Sequence, residues 1–418
     1  MMEMRKPIAV SEAIQRVIDR VQPLGSEKIA LAEAYGRILA EPIIAKHDVP
    51  PFDKSPYDGF AIRSEDSLGA SGENRIAFTV IDHIGAGQLA KRSLAKSEAI
   101  RIMTGAPIPD NADAVVMLEQ TVETETGFTL RKPFIANENI SAQGEDAKKG
   151  EELIQSGTFI HPGTIALLAT FGYAEVIVAK KPIVGILSTG TELLDVQEEL
   201  VPGKIRNSNG PMIAAQLARM GLDSKSYGML ADDLDACTAT VKQALRETDV
   251  LITTGGVSVG DFDYLPAIYE RLGADVLFNK VAMRPGSVTT VALADKQFLF
   301  GLSGNPSACF TGFELFARPV LLKMMESEKV YLPYAKAVLG EDFKKANPFT
   351  RFIRAIYEST PAGATVRPAG FNKSGAVSSI ARGNAIIVLP GGTRGYETGT
   401  EVDVLLLCME EGDATWVL

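Results

Sequence analysis

Cysteine and histidine are both scarce in this 418-residue sequence, three of each. Cys237, Cys309 and Cys408 lie far apart with no CxxC pair, and His47, His83 and His161 are equally scattered. The ligand spacing of a zinc site and the framework of a disulfide-stapled fold are therefore missing. The odd cysteine count suits a reducing compartment. Long hydrophobic runs are missing too. The longest apolar stretches, Val402 to Met409 and Ala385 to Leu389, are strand-sized and fall short of the roughly 20 residues a membrane-spanning helix needs. The opening Met1-Met2-Glu3-Met4-Arg5-Lys6-Pro7 leads only into the brief run Ile8-Ala9-Val10, too short for a secretory signal, so the expected location is the cytoplasm. Basic residues are in deficit, 42 Lys and Arg against 52 Asp and Glu, for a net charge of −10. That balance disfavours a nucleic-acid binder and obliges any anionic small ligand to find a local cationic pocket.

What is present has ordinary globular proportions, with 46% hydrophobic and 22% charged residues. The length exceeds what one core organises, so about two to four domains are expected. Residues 9 to 22 place Val10, Ile14, Val17, Ile18 and Val21 at helical spacing, with Ser11 as the expected cap and Pro23 as the stop. Ile29 to Leu39 reads as a second short helix. Between 46 and 146 short β-like runs (Ile76 to Ile84, Ala99 to Ile102, Ala114 to Leu118, Thr129 to Arg131) alternate with Gly, Pro and Asn, as in a small inserted β-rich domain. A helix at 163 to 172 and a strand at Glu175 to Ala179 follow.

From Pro182 buried-type strands (Ile183 to Leu187, Lys225 to Met229, Val250 to Thr254, Phe298 to Leu302) alternate with helices (Pro211 to Met220, Leu234 to Glu247, Tyr264 to Leu272). This spacing predicts a doubly wound parallel α/β domain, whose ligands bind at the carboxyl ends of the strands. A helix over Ser307 to Met325 and then several strand candidates point to an all-β, barrel-like C-terminal domain. The expected division is 1–45 plus 147–180 as a helical N-terminal part, 46–146 inserted, 181–329 α/β and 330–418 C-terminal.

Five loops at strand ends carry the chemistry-bearing residues. Gly185-Ile-Leu-Ser-Thr-Gly-Thr-Glu192-Leu193 puts an acid just past a strand, though a surface turn with a solvated acid explains it equally well. Lys204 to Gly210 includes Ser208 and Asn209, which would cap the next helix or present its amides to a phosphate. Ala231-Asp232-Asp233-Leu234-Asp235 opens a helix with acids, and for Asp233 and Asp235 compensation of the helix dipole is the simpler reading. Thr253 to Tyr264 holds Gly255, Gly256, Ser258, Gly260 and Asp263, a longer glycine, serine and acid run than a plain turn requires. It matches neither a P-loop nor a dinucleotide fingerprint. Gly301 to Ser307 joins strand to helix through Gly304-Asn305-Pro306, and nearby Lys280 and Arg284 add cations, Ser287 a hydroxyl.

These residues fall into an ordered set of motifs: Asp-x-Ser-x-x-Asp-Gly-Phe-Ala at 53 to 61, Met-Thr-Gly-Ala-Pro-Ile-Pro at 103 to 109, Gly-Glu-Asp at 144 to 146, Ser-Thr-Gly-Thr-Glu-Leu at 188 to 193, Thr-Gly-Gly-Val-Ser-Val-Gly at 254 to 260 and Gly-Asn-Pro at 304 to 306. Together they resemble the molybdopterin molybdotransferases of the MoeA type, related to the C-terminal domain of gephyrin, over nearly the whole chain. The resemblance implies a four-domain homodimer that takes adenylylated molybdopterin and molybdate to molybdenum cofactor and AMP with magnesium. It implies Glu192, Asp232 and Asp263 around metal and phosphate, with Asp58, Thr104 and Asp146 facing them from a second copy. The 255 to 260 loop and Ser208-Asn209 would hold pterin and phosphate, and Arg354 and Ser374 the oxyanion. The adenylyltransferase that makes the substrate is an implied partner.

Relatives commonly read Met-Lys-Pro-Gly-Lys-Pro where this chain has Met283-Arg284-Pro285-Gly286-Ser287-Val288. One cation is kept as arginine and the other is lost, so weaker molybdate binding is expected unless Arg284 and Arg354 compensate. Two other readings compete. A competence-damage type nucleotide enzyme shares only the α/β domain and lacks the motifs at 53 to 61 and 103 to 109, and a gephyrin-like scaffold would be expected to carry an appended adenylyltransferase domain.

Overall fold

The computed structural model describes residues 6–230, 233–255, 264–345, 348–361 and 363–407. They form two compact units, one of residues 41–156 with 162–175 and one of the remainder. Helix α1 (Val10–Ile18) buries Ala13 and Val17 in the core of the larger unit. It begins at Val10, ahead of the expected Ser11 cap, with Ala9 at the cap position and no side-chain capping bond. The second expected helix, Ile29 to Leu39, does not form. Ser26–Ala30 is a strand paired with Glu175–Ala179, and only a single 3-10 turn, Leu31–Glu33, follows before Gly36 adopts a φ of +78°. Cross-strand pairing outweighs the modest helical preference of this alanine-rich stretch.

The smaller unit is built on a six-stranded sheet of β1 (Gly59–Ile62), β2 (Ile76–Ile84), β3 (Glu98–Ile102), β4 (Ala114–Met117), β5 (Thr121–Glu123) and β6 (Gly127–Leu130), in the order β4-β1-β3-β2-β6-β5. Phe60, Phe78 and Phe128 stack through its core, with centroids 4.1 and 5.4 Å apart. Helix α2 (Pro162–Thr170) completes the unit.

In the larger unit β7 (Val184–Thr189), α3 (Asn209–Arg219), β8 (Ser224–Leu230), α4 (Leu234–Glu247), β9 (Val250–Thr254) and α5 (Leu265–Leu272) alternate along the chain. With β10 (Asp275–Phe278), β11 (Thr290–Ala294) and β12 (Gln297–Leu302) they give the sheet order β8-β7-β9-β12-β11-β10. The alternation of side chains splits the core in two. Val184, Ile186, Val250, Ile252, Phe298 and Phe300 pack on the side of α3, and Leu187, Leu251 and Leu299 pack with α4 and α5. This is the doubly wound arrangement expected. Its four strands β8, β7, β9 and β12 are parallel, but β11 runs antiparallel to β12 through a two-residue turn in which Asp295 has a φ of +55°. That hairpin turn was a readable signal.

The expected helix from Ser307 is present but interrupted: α6 (Pro306–Gly312) and α7 (Arg318–Met324) flank a π-helical turn at Phe313–Ala317. The last strands, β13 (Tyr334–Leu339), β14 (Thr350–Thr360), β15 (Gly363–Pro368), β16 (Ala385–Leu389) and β17 (Glu401–Leu406), pair in a ring, β14-β15-β13-β17-β16 and back to β14, a closed five-stranded barrel. The short strand Met283–Arg284 adds to β14 in parallel. Among the described residues no helix is long and apolar enough to cross a membrane.

Candidate functional site

The carboxyl ends of β7, β9 and β12 are tied together by their own loops. Asn207 Nδ2 and Thr254 Oγ1 both donate to Ser188 Oγ, at 3.0 and 3.1 Å. The Gly255 N–H donates to the Leu302 carbonyl, and Asn209 Nδ2 to the Gly304 carbonyl. Gly255 has a φ of +89°, and a Cβ there would lie 2.5 Å from the Thr189 carbonyl oxygen, so only glycine lets β9 turn this close to β7. Asn209 is buried, and its Oδ1 has no hydrogen-bond partner among the described residues. A buried acceptor left open is costly unless something donates to it. Glu192 is exposed, and its carboxylate folds back over Gly190, whose Cβ position lies 2.5 Å from it.

One capping assignment changes. Ser208 occupies the cap position of α3 but makes no side-chain capping bond; Asn207 Oδ1 accepts from the Gly210 N–H instead. Asp233 does cap α4, accepting from the Ala236 N–H at 2.6 Å, and Asp235 pairs with Arg271, so the structural reading holds for both. Asp232, Gly256, Ser258, Gly260, Asp263 and Cys408 lie outside the described residues.

The larger unit holds a cavity of about 490 Å³ bordered by the 284–288 loop, the start of the 306–324 helix, β14 and the 372–374 loop. It gathers Arg284, Ser287, Asn305, Arg354 and Ser374, five residues named from sequence alone, and Pro306 starts the helix beside it. Lys280 does not line it; its carbonyl accepts from the Ile8 N–H. Arg351, Lys345 and Lys373 line it as well, and sequence reading passed over them. Among the described residues five cations and no carboxylate face this space, in a chain of net charge −10. A wider cavity of about 590 Å³, lined in part by Phe159, Arg318 and Leu407, contains none of the candidate site residues named from sequence. Size alone therefore does not mark the site.

Arg354 is the most constrained of the five. It is 2% exposed, and among the described residues its guanidinium donates only to neutral oxygens, Ser379 Oγ and the Lys373 carbonyl, at 3.3 and 3.2 Å. Burial pushes its pKa down to about 10. A buried cation without a counter-ion is strongly unfavourable and calls for an anion. Arg351 is half-buried beside Arg284, its partner in the strand register, and burial followed by the charge of Arg284 lowers its pKa.

In the smaller unit the three remaining motif segments are knitted at one end of the sheet. The backbones of Lys54 and Ser141 exchange hydrogen bonds, Gly105 donates to the Ser55 carbonyl, and Asp146 donates to the Val49 carbonyl. Asp58 accepts from the Thr104 N–H and Oγ1 at 2.7 and 3.0 Å, which holds its carboxyl below the usual range. Asp58, Thr104 and Asp146 are all exposed.

Comparison with known proteins fits this architecture. The MoeA N-terminal region (domain I and II) matches residues 8–172, the probable molybdopterin binding domain 185–323 and the MoeA C-terminal region (domain IV) 336–407. The curated molybdopterin molybdenumtransferase of Staphylococcus aureus strain Mu50 is 59% identical over 404 residues, 97% of this chain and 96% of its own. The chain belongs to the molybdopterin molybdenumtransferase family. A Staphylococcus epidermidis member is equally similar, 59% over the same spans. The crystal structure of the molybdopterin biosynthesis MoeA protein from Pyrococcus horikoshii OT3 superposes with a TM-score of 0.84 at 32% identity, covering 96% of this chain and all of that one. The chain is thus an enzyme of molybdenum-cofactor biosynthesis, and matches on both sides of the α/β domain set aside the competence-damage reading.

Proposed function

We propose that this enzyme inserts molybdate into adenylylated molybdopterin with magnesium-dependent release of AMP, and that the cationic cavity receives the molybdate. The observation that carries the oxyanion assignment is the buried Arg354, among five cations and no acid of the described residues. Arg354 and Arg284 would bind the dianion with charge-assisted bonds, and the Ser287 and Ser374 hydroxyls would donate one bond each. Glycine at 255 would leave the end of β9 open to a planar or phosphorylated ligand, and Asn209 Oδ1 would offer an acceptor for a pterin N–H.

The magnesium expectation rests on family resemblance. Of Glu192, Asp232 and Asp263 only the first is described, and no group of three His, Cys, Asp or Glu residues forms among the described residues, so no step is assigned to the metal here.

We retain the division at 1–45 with 147–180, 46–146, 181–329 and 330–418, a cytoplasmic location, a homodimer, and an adenylyltransferase as supplier of the substrate. Incubating the protein with adenylylated molybdopterin, molybdate and magnesium should release AMP in proportion to cofactor formed. Absence of AMP with all three present overturns the assignment. For the homodimer, mixing an Asp58→Ala chain with a Glu192→Ala chain should restore about a quarter of the sites under random exchange and two-fold symmetry. No recovery after demonstrated exchange contradicts a cleft shared between copies.

A further inference from the structure

We propose that the wider cavity of the larger unit is a docking site for this chain's own segment 408–418, with Trp416 as the anchoring side chain. The oxyanion reading concerns a different cavity, and the two stand or fall separately. Every described residue lining the wider cavity belongs to the larger unit. Ile38, Leu322 and Leu332 give it an apolar lining. Tyr35 and Phe159, both exposed, border it and meet edge to face with ring centroids 6.4 Å apart. At about 590 Å³ it has the size of a ligand site, and an aromatic pair left open to water beside apolar walls calls for something to cover it.

Three observations point to residues 408–418 as the occupant. The first is where they start. Leu407 itself lines the cavity, its N–H donating to the Asn384 carbonyl at 2.9 Å and its carbonyl accepting from Arg219 Nη1 at 3.3 Å, so the root of the segment is fixed in the cavity wall. The second is charge. Lys181 and Lys329 line the cavity, are exposed, and form no ion pair among the described residues, while no acid of the described residues lines it. The segment Cys-Met-Glu-Glu-Gly-Asp-Ala-Thr-Trp-Val-Leu brings Glu410, Glu411 and Asp413 and no Lys or Arg. The third is the apolar match. Met409 and the run Trp416-Val417-Leu418 flank those acids, and Trp416 is the sole tryptophan of the chain. A tryptophan buries about 150–250 Å² of surface, which suits an apolar cavity bordered by two further rings. At ~3.3 Å per residue the segment is long enough to turn back on its own root. Tethering there gives it an effective concentration on the order of mM, so modest contacts suffice to seat it.

The test uses the full chain and the fluorescence of Trp416, quenched by acrylamide, a neutral quencher that charge changes in the protein do not attract or repel. In the starting chain the quenching constant should lie well below that of the same chain in denaturant. Ala218→Glu, which places an acid on an exposed cavity-lining position of α3, should raise the constant about threefold, because it sets a like charge against the segment. Lys181→Glu combined with Lys329→Glu should raise it in the same direction, whereas Lys296→Glu, the same charge change at an exposed position outside the cavity, should leave it unchanged. Thermal midpoints show whether each variant keeps its fold. Should Ala218→Glu lower its midpoint, the double lysine variant alone decides. Quenching as free in the starting chain as in denaturant overturns the proposal. So does protection that neither cavity variant relieves, which seats Trp416 elsewhere, and protection that falls away on dilution, which seats it on a second copy.

Discussion

The cationic cavity and the motif loops of the smaller unit are both polar, yet they settle their polarity in opposite ways. In the motif loops of the smaller unit polar groups are answered from within: Asp58 takes two bonds from Thr104, and Lys54 and Ser141 pair through their backbones. In the cavity Arg354 is buried, and among the described residues its guanidinium has only neutral partners. Internally satisfied polarity is consistent with structure alone, whereas polarity left unbalanced in a buried place points to something the protein binds. The first region therefore needed the family resemblance to be read as functional, and the second is legible from physics.

The sharpest way to break this comparison is to neutralise one residue in each region. Arg354→Met should raise the molybdate needed for half-maximal AMP release by about tenfold to a hundredfold, as loss of a charged hydrogen-bond donor would. Asp58→Asn should lower the rate of AMP release without changing that molybdate requirement. Equal molybdate shifts in both variants would erase the distinction.

Gly255→Ala should destabilise the chain by about 1–3 kcal/mol in denaturant titration, because a left-handed backbone meets a carbonyl at 2.5 Å. A change within about 0.5 kcal/mol would mean that the close approach of β7 and β9 relaxes freely.

Arg354→Met should leave the thermal midpoint unchanged or raise it in the absence of anion, since replacing a buried uncompensated charge by an apolar chain of similar length removes a desolvation cost. A fall of several degrees would make the guanidinium a structural tie to the 373–379 segment.

The smallest effect belongs to Thr104→Val, which removes one of two bonds to Asp58. The Asp58 carboxyl, held low at present, should titrate closer to its ordinary value, measured by NMR. Its stabilising contribution is present above the unfolded carboxylate pKa and is lost as pH falls through the folded value, so in the variant the contribution should be smaller and its loss complete at higher pH. An unchanged titration would assign the shift to the backbone N–H alone.

The α/β domain was readable because its central strands β7, β9 and β12 are buried on both faces, whereas the edge strand β8, expected from its sequence as a buried strand, has no buried residue. Val250 to Thr254 and Leu234 to Glu247 were bounded from sequence as they stand in the structure. The failures were local. Ile29 to Leu39 has helical composition, but its pairing partner lies nearly 150 residues away at Glu175–Ala179, beyond the reach of any local window. The antiparallel β11 hid in a short apolar run, although Asp295-Lys296 marks the hairpin. At the site, Arg284, Ser287, Asn305, Arg354 and Ser374 were named from sequence and meet in one cavity. Arg351 was missed because strand alternation gave no reason to join it to Arg354, whereas the cavity lining and the register with Arg284 place it there. Asn207, which ties Ser188 to the start of α3, was passed over for its neighbours because a cap is decided by backbone geometry that Asn207, Ser208 and Asn209 would each permit.

The central claim, that the cavity beside Arg354 is the oxyanion site, is tested most directly by calorimetric titration of molybdate into the nucleotide-free protein and into Arg354→Met at the same ionic strength. Saturable one-site binding by the first, weakened at least tenfold in the second, is the predicted result. Identical isotherms for the two proteins would contradict it.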